Sequence, residues 1–233
     1  MVFLIHVLLA FLAGLSDLFS GLLGIYTRLR RIETRYIIGF AAGTMLGAVF
    51  FEMMPEAQLE KNALFIALGF FLFYILEKLV MIHACGEEEC VMHKMTWVSV
   101  MGMMSDNIVD GIGIAVGYFL NPMLGVFIAI AVIMHEVPQG LSTVLIMKNA
   151  GFGFRKTLAV LLGETLLYPV GAFISFAVPP AFYTAMIAFV AGDFLYIAGS
   201  DLLPHAHRKF NLRVVAAVLF GGIFLFALES LLH

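Results

Sequence analysis

Apolar residues run along this chain in eight long blocks, at about 2–24, 36–56, 62–82, 97–120, 122–147, 156–178, 181–204 and 212–232. Each is near or above the ~20 residues that a helix needs to cross the hydrocarbon core of a bilayer. The polar connections between blocks are too short to hold a separate soluble domain. The pattern therefore predicts an all-α polytopic membrane protein, a single domain over 1–233 with about eight transmembrane helices. The first block lacks a basic leader and a small-residue cleavage motif, so it is expected to be a retained helix rather than a signal peptide. Composition points the same way, with 62% hydrophobic and 12% charged residues and a mean hydropathy of +1.03, far from an ordinary soluble domain.

The cations fall almost entirely on one side of these blocks. Arg28, Arg30, Arg31 and Arg35 lie between blocks 1 and 2, and Lys78 and Lys94 flank the connection between 3 and 4. Lys148, Arg155 and Lys156 follow block 5, and Arg208, Lys209 and Arg213 lie between blocks 7 and 8 or at the start of 8, leaving Lys61 alone on the other side. Lys and Arg concentrate in cytoplasmic loops. The expected orientation thus puts both termini outside, in the plasma (cytoplasmic) membrane. The net charge of -3 says nothing about a nucleic acid, but with the cations placed in these connections no basic face is left over to bind one.

Two blocks carry polar groups where lipid-spanning helices normally carry none. Block 4 holds Asp106-Asn107-Ile108-Val109-Asp110-Gly111, and block 5 holds His135-Glu136-Val137-Pro138-Gln139-Gly140. Both place polar side chains at i, i+1 and i+4. On a helix, i and i+4 stack one turn apart and i+1 lies about 100° round, so each segment offers two adjacent rows of metal-ligand groups. With the expected orientation, Asp106 and Asp110 lie roughly 13 and 20 Å from the inner end of block 4, and Gln139 and His135 roughly 12 and 18 Å from the same surface. The two motifs meet near the midplane. Ionisable residues at that depth are costly and mark functional sites. Helix packing through interhelical hydrogen bonds is the competing reading; it accounts for one such residue better than for six in matched spacing. Pro138 is expected to kink block 5, and Gly111 and Gly140 to permit close helix approach.

A longer repeat accompanies the motifs. Ala42, Gly43, Leu46, Glu52, Pro55 and Ala57 recur as Ala191, Gly192, Leu195, Asp201, Pro204 and Ala206, at a constant offset of 149 residues. Blocks 2 and 7 run in opposite directions across the membrane, so the repeat is an inverted one, an architecture common among secondary transporters with a midplane site.

These segments resemble the ZIP family of divalent-metal transporters. HEVPQG is similar to that family's fifth-helix H-[NE]-x-P-[EDH]-[GE] signature, and DNIVDG to its fourth-helix H-N-x-x-D-G element. FEMMPEA resembles the second-helix HLLPEA pattern, and AGDFLYIAGSDLLPHA the seventh-helix G-x-F-L-Y-V-A-x-x-D-x-L-P-E segment. The resemblance implies a binuclear metal centre between helices 4, 5 and 6. Asp106, Asp110, His135 and Gln139 would line one position, and Asn107, Asp110, Glu136 and a helix-6 carboxylate the other. Asp106 departs from the family's usual histidine, and Gln139 from its carboxylate or histidine. The sixth-helix glutamate that precedes P-L-G is here Tyr168, before Pro169-Val170-Gly171, and the nearest acid is Glu164, one turn earlier.

The resemblance also implies that a divalent metal ion is the transported substrate, zinc foremost. The ligand set is mostly oxygen, a chemistry that shifts preference toward harder ions such as manganese or ferrous iron. Met101, Met103 and Met104 precede the first motif but are expected to be packing residues. Glu52 and Glu56 at the outer mouth, and Asp201, His205 and His207 at the inner end of block 7, are candidate pathway residues. In the cytoplasmic connection, His83, Cys85, Cys90 and His93 form a zinc-competent set whose spacing matches no zinc finger. The expected partners are the lipid bilayer, divalent metal ions and a second copy of the chain in a homodimer. No enzyme activity is expected, although an intramembrane metal-dependent hydrolase and a non-transporting metal sensor remain alternatives. The hydrolase would want more imidazole ligands than His135 supplies.

Overall fold

The computed structural model describes residues 4–26, 31–84, 92–208 and 210–232. The described residues form helices throughout: α1 (Ile5–Tyr26), α2 (Arg31–Gly47), α3 (Met54–Glu56), α4 (Leu59–Ala84), α5 (Met92–Leu120), α6 (Pro122–Asn149), α7 (Phe154–Ile174), α8 (Tyr183–Tyr196), α9 (Leu203–Ala206) and α10 (Leu212–Leu232). In lipid a backbone must satisfy its own polar groups, which is why an apolar chain of this kind is all helix. The helix bounds follow the hydrophobic blocks closely, and that of block 8 coincides with α10. Six of the rods are long and apolar enough to cross a membrane. Outward helix faces carry large apolar side chains such as Phe71 of α4, 58% exposed, and Phe220 of α10, 62% exposed. This protein is an integral membrane protein of the polytopic α-helical class.

The 149-residue repeat has a structural counterpart. Between α2 and α3 the chain forms a π-helical segment, Ala48–Met53, and between α8 and α9 another, Ile197–Leu202. The two are offset by the same 149 residues, and each runs into a short helix with proline in its first turn, Pro55 and Pro204. A proline has no N–H to give to the preceding turn and crowds the carbonyl there, and a widened turn just upstream accommodates it. The pairing partners also match. Gly43 lies against the Val218 carbonyl of α10, and Gly192 against the Ile66 carbonyl of α4, each so close that a Cβ would not fit.

Packing gathers α1, α5, α6 and α7 into one group. α2 pairs with α10 and α4 with α8, and these two pairs meet the group chiefly along α2–α6 and α5–α8. The α5–α6 hairpin is closed by Asn121, whose side chain accepts the backbone N–H of Met123 at 3.0 Å ahead of Pro122. Asp106 and His135 stand at nearly equal distances before and after this turn, so the hairpin brings the two polar motifs to one level. On the other side of α5, Gly111 meets the Tyr168 carbonyl of α7, and Gly171 of α7 meets the Ile108 carbonyl. These paired glycines let α5 and α7 approach backbone to backbone immediately beside Asp110.

Candidate metal centre

Four of the residues expected from the sequence come together. Asp106, Asp110, His135 and Glu136 each offer a ligand atom, and these atoms all lie within 4.8 Å of one another. His135 Nε2 is 3.3 Å from Asp110 Oδ2 and 2.9 Å from Glu136 Oε1. Ligand atoms on opposite sides of a cation stand about 4.2 Å apart when each bond is about 2.1 Å. The cluster would thus need to contract by only a few tenths of an ångström around an ion.

The position of each member follows from its helix. Asp106 and Asp110 are one turn apart on α5, and His135 and Glu136 are neighbours on α6 that fan across the same side of the hairpin. His135 Nδ1 lies 3.2 Å from the Ala131 carbonyl one turn back. A carbonyl can only accept, so in this contact Nδ1 is the donor, and Nε2 is the ring nitrogen that faces the carboxylates. The Phe194 ring of α8 stands edge-on to the imidazole at 5.8 Å and closes that side. The turn interrupted by Pro138 is supported from α1, where Ser16 and Ser20 donate to the Ile133 and Glu136 carbonyls at 3.4 and 3.3 Å.

All four side chains are buried, with Asp106 the most exposed at 7%. Asp106 Oδ1, both oxygens of Asp110 and of Glu136, and His135 Nε2 make no hydrogen bond to any described residue. The short His135–Glu136 contact lacks hydrogen-bond alignment. Buried carboxylates left without hydrogen bonds are strongly disfavoured unless paired with a cation. Buried ligand atoms that converge in this way can form a cation cradle.

The other three expected ligands are arranged differently. Gln139 donates from Nε2 to Asn107 Oδ1 at 2.9 Å, so each amide engages the other across the α5–α6 seam. Glu164 is fully buried and accepts at Oε1 from Thr143 Oγ1 at 3.3 Å, with Oε2 unpartnered among the described residues. It interacts electrostatically with Glu136 and Asp17. Of the pathway candidates, Glu52 is buried within the first π segment, and Glu56 is half-buried just beyond it. Asp201 and His205 are exposed, His205 interacting with Asp201, and His207 lies 3.1 Å from the Leu203 carbonyl through Nδ1. The neighbouring Ala206 carbonyl accepts Arg35 Nε at 2.8 Å. Cys85 and Cys90, and the side chains of His83 and His93, lie outside the described residues.

Two buried acids at the centre, Asp193 and Asp17, escaped sequence reading, and Tyr168, named there only as standing in the helix-6 glutamate's place, joins them. Asp193 of α8 is inaccessible, and its carboxylate interacts with Asp106, Asp110 and His135. Asp17 of α1 is equally buried and interacts with Glu136, Glu164 and His135. Tyr168 presents its hydroxyl to Glu136 from α7. Each acid stands alone in an apolar stretch, and that isolation at membrane depth was the available signal.

The family described as ZIP zinc transporter matches residues 83–229, more than half of the chain. The chain belongs to the ZIP family. It is 25% identical over 194 residues to the zinc transporter ZIP13 of Pongo abelii, covering 73% of this chain and 58% of that protein. To the zinc transporter ZIP10 of Danio rerio it is 30% identical over 111 residues, covering 46% of this chain and 13% of that protein. To the zinc transporter ZupT of Chlorobium phaeovibrioides (strain DSM 265 / 1930) it is 25% identical over 275 residues, covering 97% and 96% respectively. The chain thus spans well under two thirds of the ZIP13 and ZIP10 relatives and almost all of the ZupT relative. The matched range contains the whole α5–α6 hairpin with its four clustered ligands.

Proposed function

We propose that this ZIP-family protein carries divalent transition-metal cations across the membrane into the cytoplasm, with zinc the leading substrate and manganese and ferrous iron as further ones. The observation that carries the proposal is the quartet of Asp106, Asp110, His135 and Glu136, buried between apolar helices with its ligand atoms converging. The names of the zinc-transporting relatives support zinc. Asp110 is central, because it lies between Asp106 on its own helix and His135 across the seam. Three carboxylates and one imidazole form an open, oxygen-rich cradle, suited to an ion that must be released.

In this reading the chain is oriented with both termini outside and serves as a transporter in the plasma membrane as a homodimer. Glu52 and Glu56 attract the ion at the outer mouth. Asp201, His205 and His207 receive it at the inner end. The test is uptake of zinc, manganese, ferrous iron and cadmium by one proteoliposome preparation, compared with Asp110→Ala. Saturable zinc uptake that the variant loses supports the reading. Absence of uptake of every ion by the unaltered protein overturns it.

A further inference from the structure

Phe119 of α5 stands against Tyr183 of α8, ring centroids 5.5 Å apart, and Gly113 of α5 meets the Val190 side chain so closely that a Cβ would lie 2.8 Å from it. Residue numbers thus fall along α5 as they rise along α8, and the two helices run antiparallel. Continuing this register by one turn on each helix brings Asp193 to the level of Asp110, with Asp106 one turn beyond. Phe194, the next residue of α8, lies edge-on to the His135 ring at 5.8 Å. Asp193 therefore enters the border of the metal centre from a helix outside the group of α1, α5, α6 and α7.

Its surroundings are unusual for an acid. Asp193 is 0% exposed, and no N–H or hydroxyl among the described residues donates to either of its oxygens. The neighbouring groups that act on it most strongly are Asp106, Asp110 and His135, none of them a Lys or Arg. Its carboxyl lies within hydrogen-bonding reach of that of Asp106. It is not one of the four residues whose ligand atoms converge. Packing alone would fill this position with an apolar side chain, because burying an acid without a donor or a cation is costly.

We propose that Asp193 is a positioning residue for Asp106 that sets ion preference, backing that ligand from α8 with a second carboxylate and biasing the quartet toward hard divalent ions such as Mn2+. A carboxylate ligand is ordinarily held from behind by a hydrogen-bond donor, which draws charge away from the ion. An acid in that place leaves the charge on the ligand and adds its own. Oxygen ligands and net charge are what a hard ion responds to, whereas zinc also gains from the His135 imidazole. Removing the charge behind Asp106 therefore costs manganese more than zinc. The proposal rests on the metal-transport reading of the quartet and adds to it a determinant from α8.

The experiment measures Mn2+ and Zn2+ affinities of the purified full-length protein in detergent by equilibrium dialysis, with thermal unfolding of the metal-free protein as the report on folding. Asp193→Asn keeps the shape and can donate an amide N–H to Asp106, so it removes the charge while retaining the contact. It is expected to weaken Mn2+ binding about 10-fold and Zn2+ binding distinctly less, at an unchanged or higher unfolding temperature. Asp193→Ala should shift the ratio of the two affinities in the same direction. In an Asp106→Asn background, Asp193→Asn should change that ratio no further, because its effect passes through Asp106. An equal fall for both ions, or unchanged affinities in both Asp193 variants, would overturn the proposal. A ratio shift that persists without the Asp106 carboxylate would overturn it too. Binding of neither ion by the unaltered chain would overturn the quartet reading itself.

Discussion

Gln139 Nε2 donates to Asn107 Oδ1 at 2.9 Å across the seam between α5 and α6. The bond engages the one amide oxygen that Asn107 has, while its Nδ2 stays without a partner among the described residues. Gln139→Glu would replace that donor by an acceptor, so the Asn107 amide must turn and present Nδ2 instead. The new carboxylate would join the quartet's border, and Asp106→His would add a second imidazole to it. Nitrogen ligands suit zinc better than manganese. The double variant is therefore expected to raise the zinc-to-manganese uptake ratio by about tenfold, equivalent to ~1.4 kcal/mol. Competitive uptake of the two ions in proteoliposomes checks it, and an unchanged ratio would place selectivity elsewhere, with Glu52 and Glu56 the next positions to change.

Asp110→Ala separates ligation from stability. Asp110 is fully buried, its oxygens unpartnered except for the contact with His135. Removing it takes one acid out of a crowded group, so the metal-free protein should unfold at an equal or higher temperature. Loss of outer partners of metal ligands already costs about 10–100-fold in affinity or activity, and loss of a ligand itself should reduce zinc uptake by at least that much. Uptake and thermal unfolding are measured on the same preparation. A large fall in stability would mark Asp110 as a packing residue instead.

The helices and the quartet were legible for different reasons. Block lengths set by the bilayer recur in the helix bounds, and the i, i+1, i+4 spacing at Asp106 and His135 carries its geometry with it. The π segments were not read from the sequence, although the acid-x-x-Pro pairs ending in Pro55 and Pro204 were present to suggest a disturbed ladder. Asp17 and Asp193 are different again. Neither belongs to a run of several acids or histidines at helical spacing, and their meaning arises only when α1 and α8 pack against the α5–α6 hairpin. Glu164 was expected from the sequence as a candidate ligand; its bond to Thr143 could not be read there, because Thr143 lies outside both motifs.

Gly111 tests how tightly the scaffold sets the site. The carbonyl of Tyr168 occupies the position that a side chain on Gly111 would need, whereas nothing lies within 4 Å of the same position on Gly102. Gly111→Val should force α5 from α7, shift Asp110 next to it, and destabilise the protein by about 1–3 kcal/mol, typical of an overpacked core. Gly102→Ala is the control and should leave both stability and zinc binding unchanged. Thermal unfolding of the purified proteins, with and without zinc, reads both effects. Equal behaviour of the two variants would mean that α5 and α7 need not touch.

The orientation rests on the cations, and two exposed lysines decide it. Lys61, near the start of α4, is the single cation on its side, and Lys148, near the end of α6, belongs to the opposite group; both side chains are exposed. The chain has two cysteines, Cys85 and Cys90, and replacing both by serine leaves a background for placing one thiol at a time. In intact cells, Lys61→Cys should react with a membrane-impermeant maleimide added outside. Lys148→Cys should react only after the membrane is opened, because Lys and Arg are retained on the cytoplasmic side. The order of chemistry along the path depends on the outcome. With Lys61 outside, an incoming cation meets Glu52 and Glu56 before the quartet and His205 and His207 after it, and neutral imidazoles then accept the ion where the carboxylates release it. The reverse labelling pattern would turn that sequence round and make the histidine end the mouth.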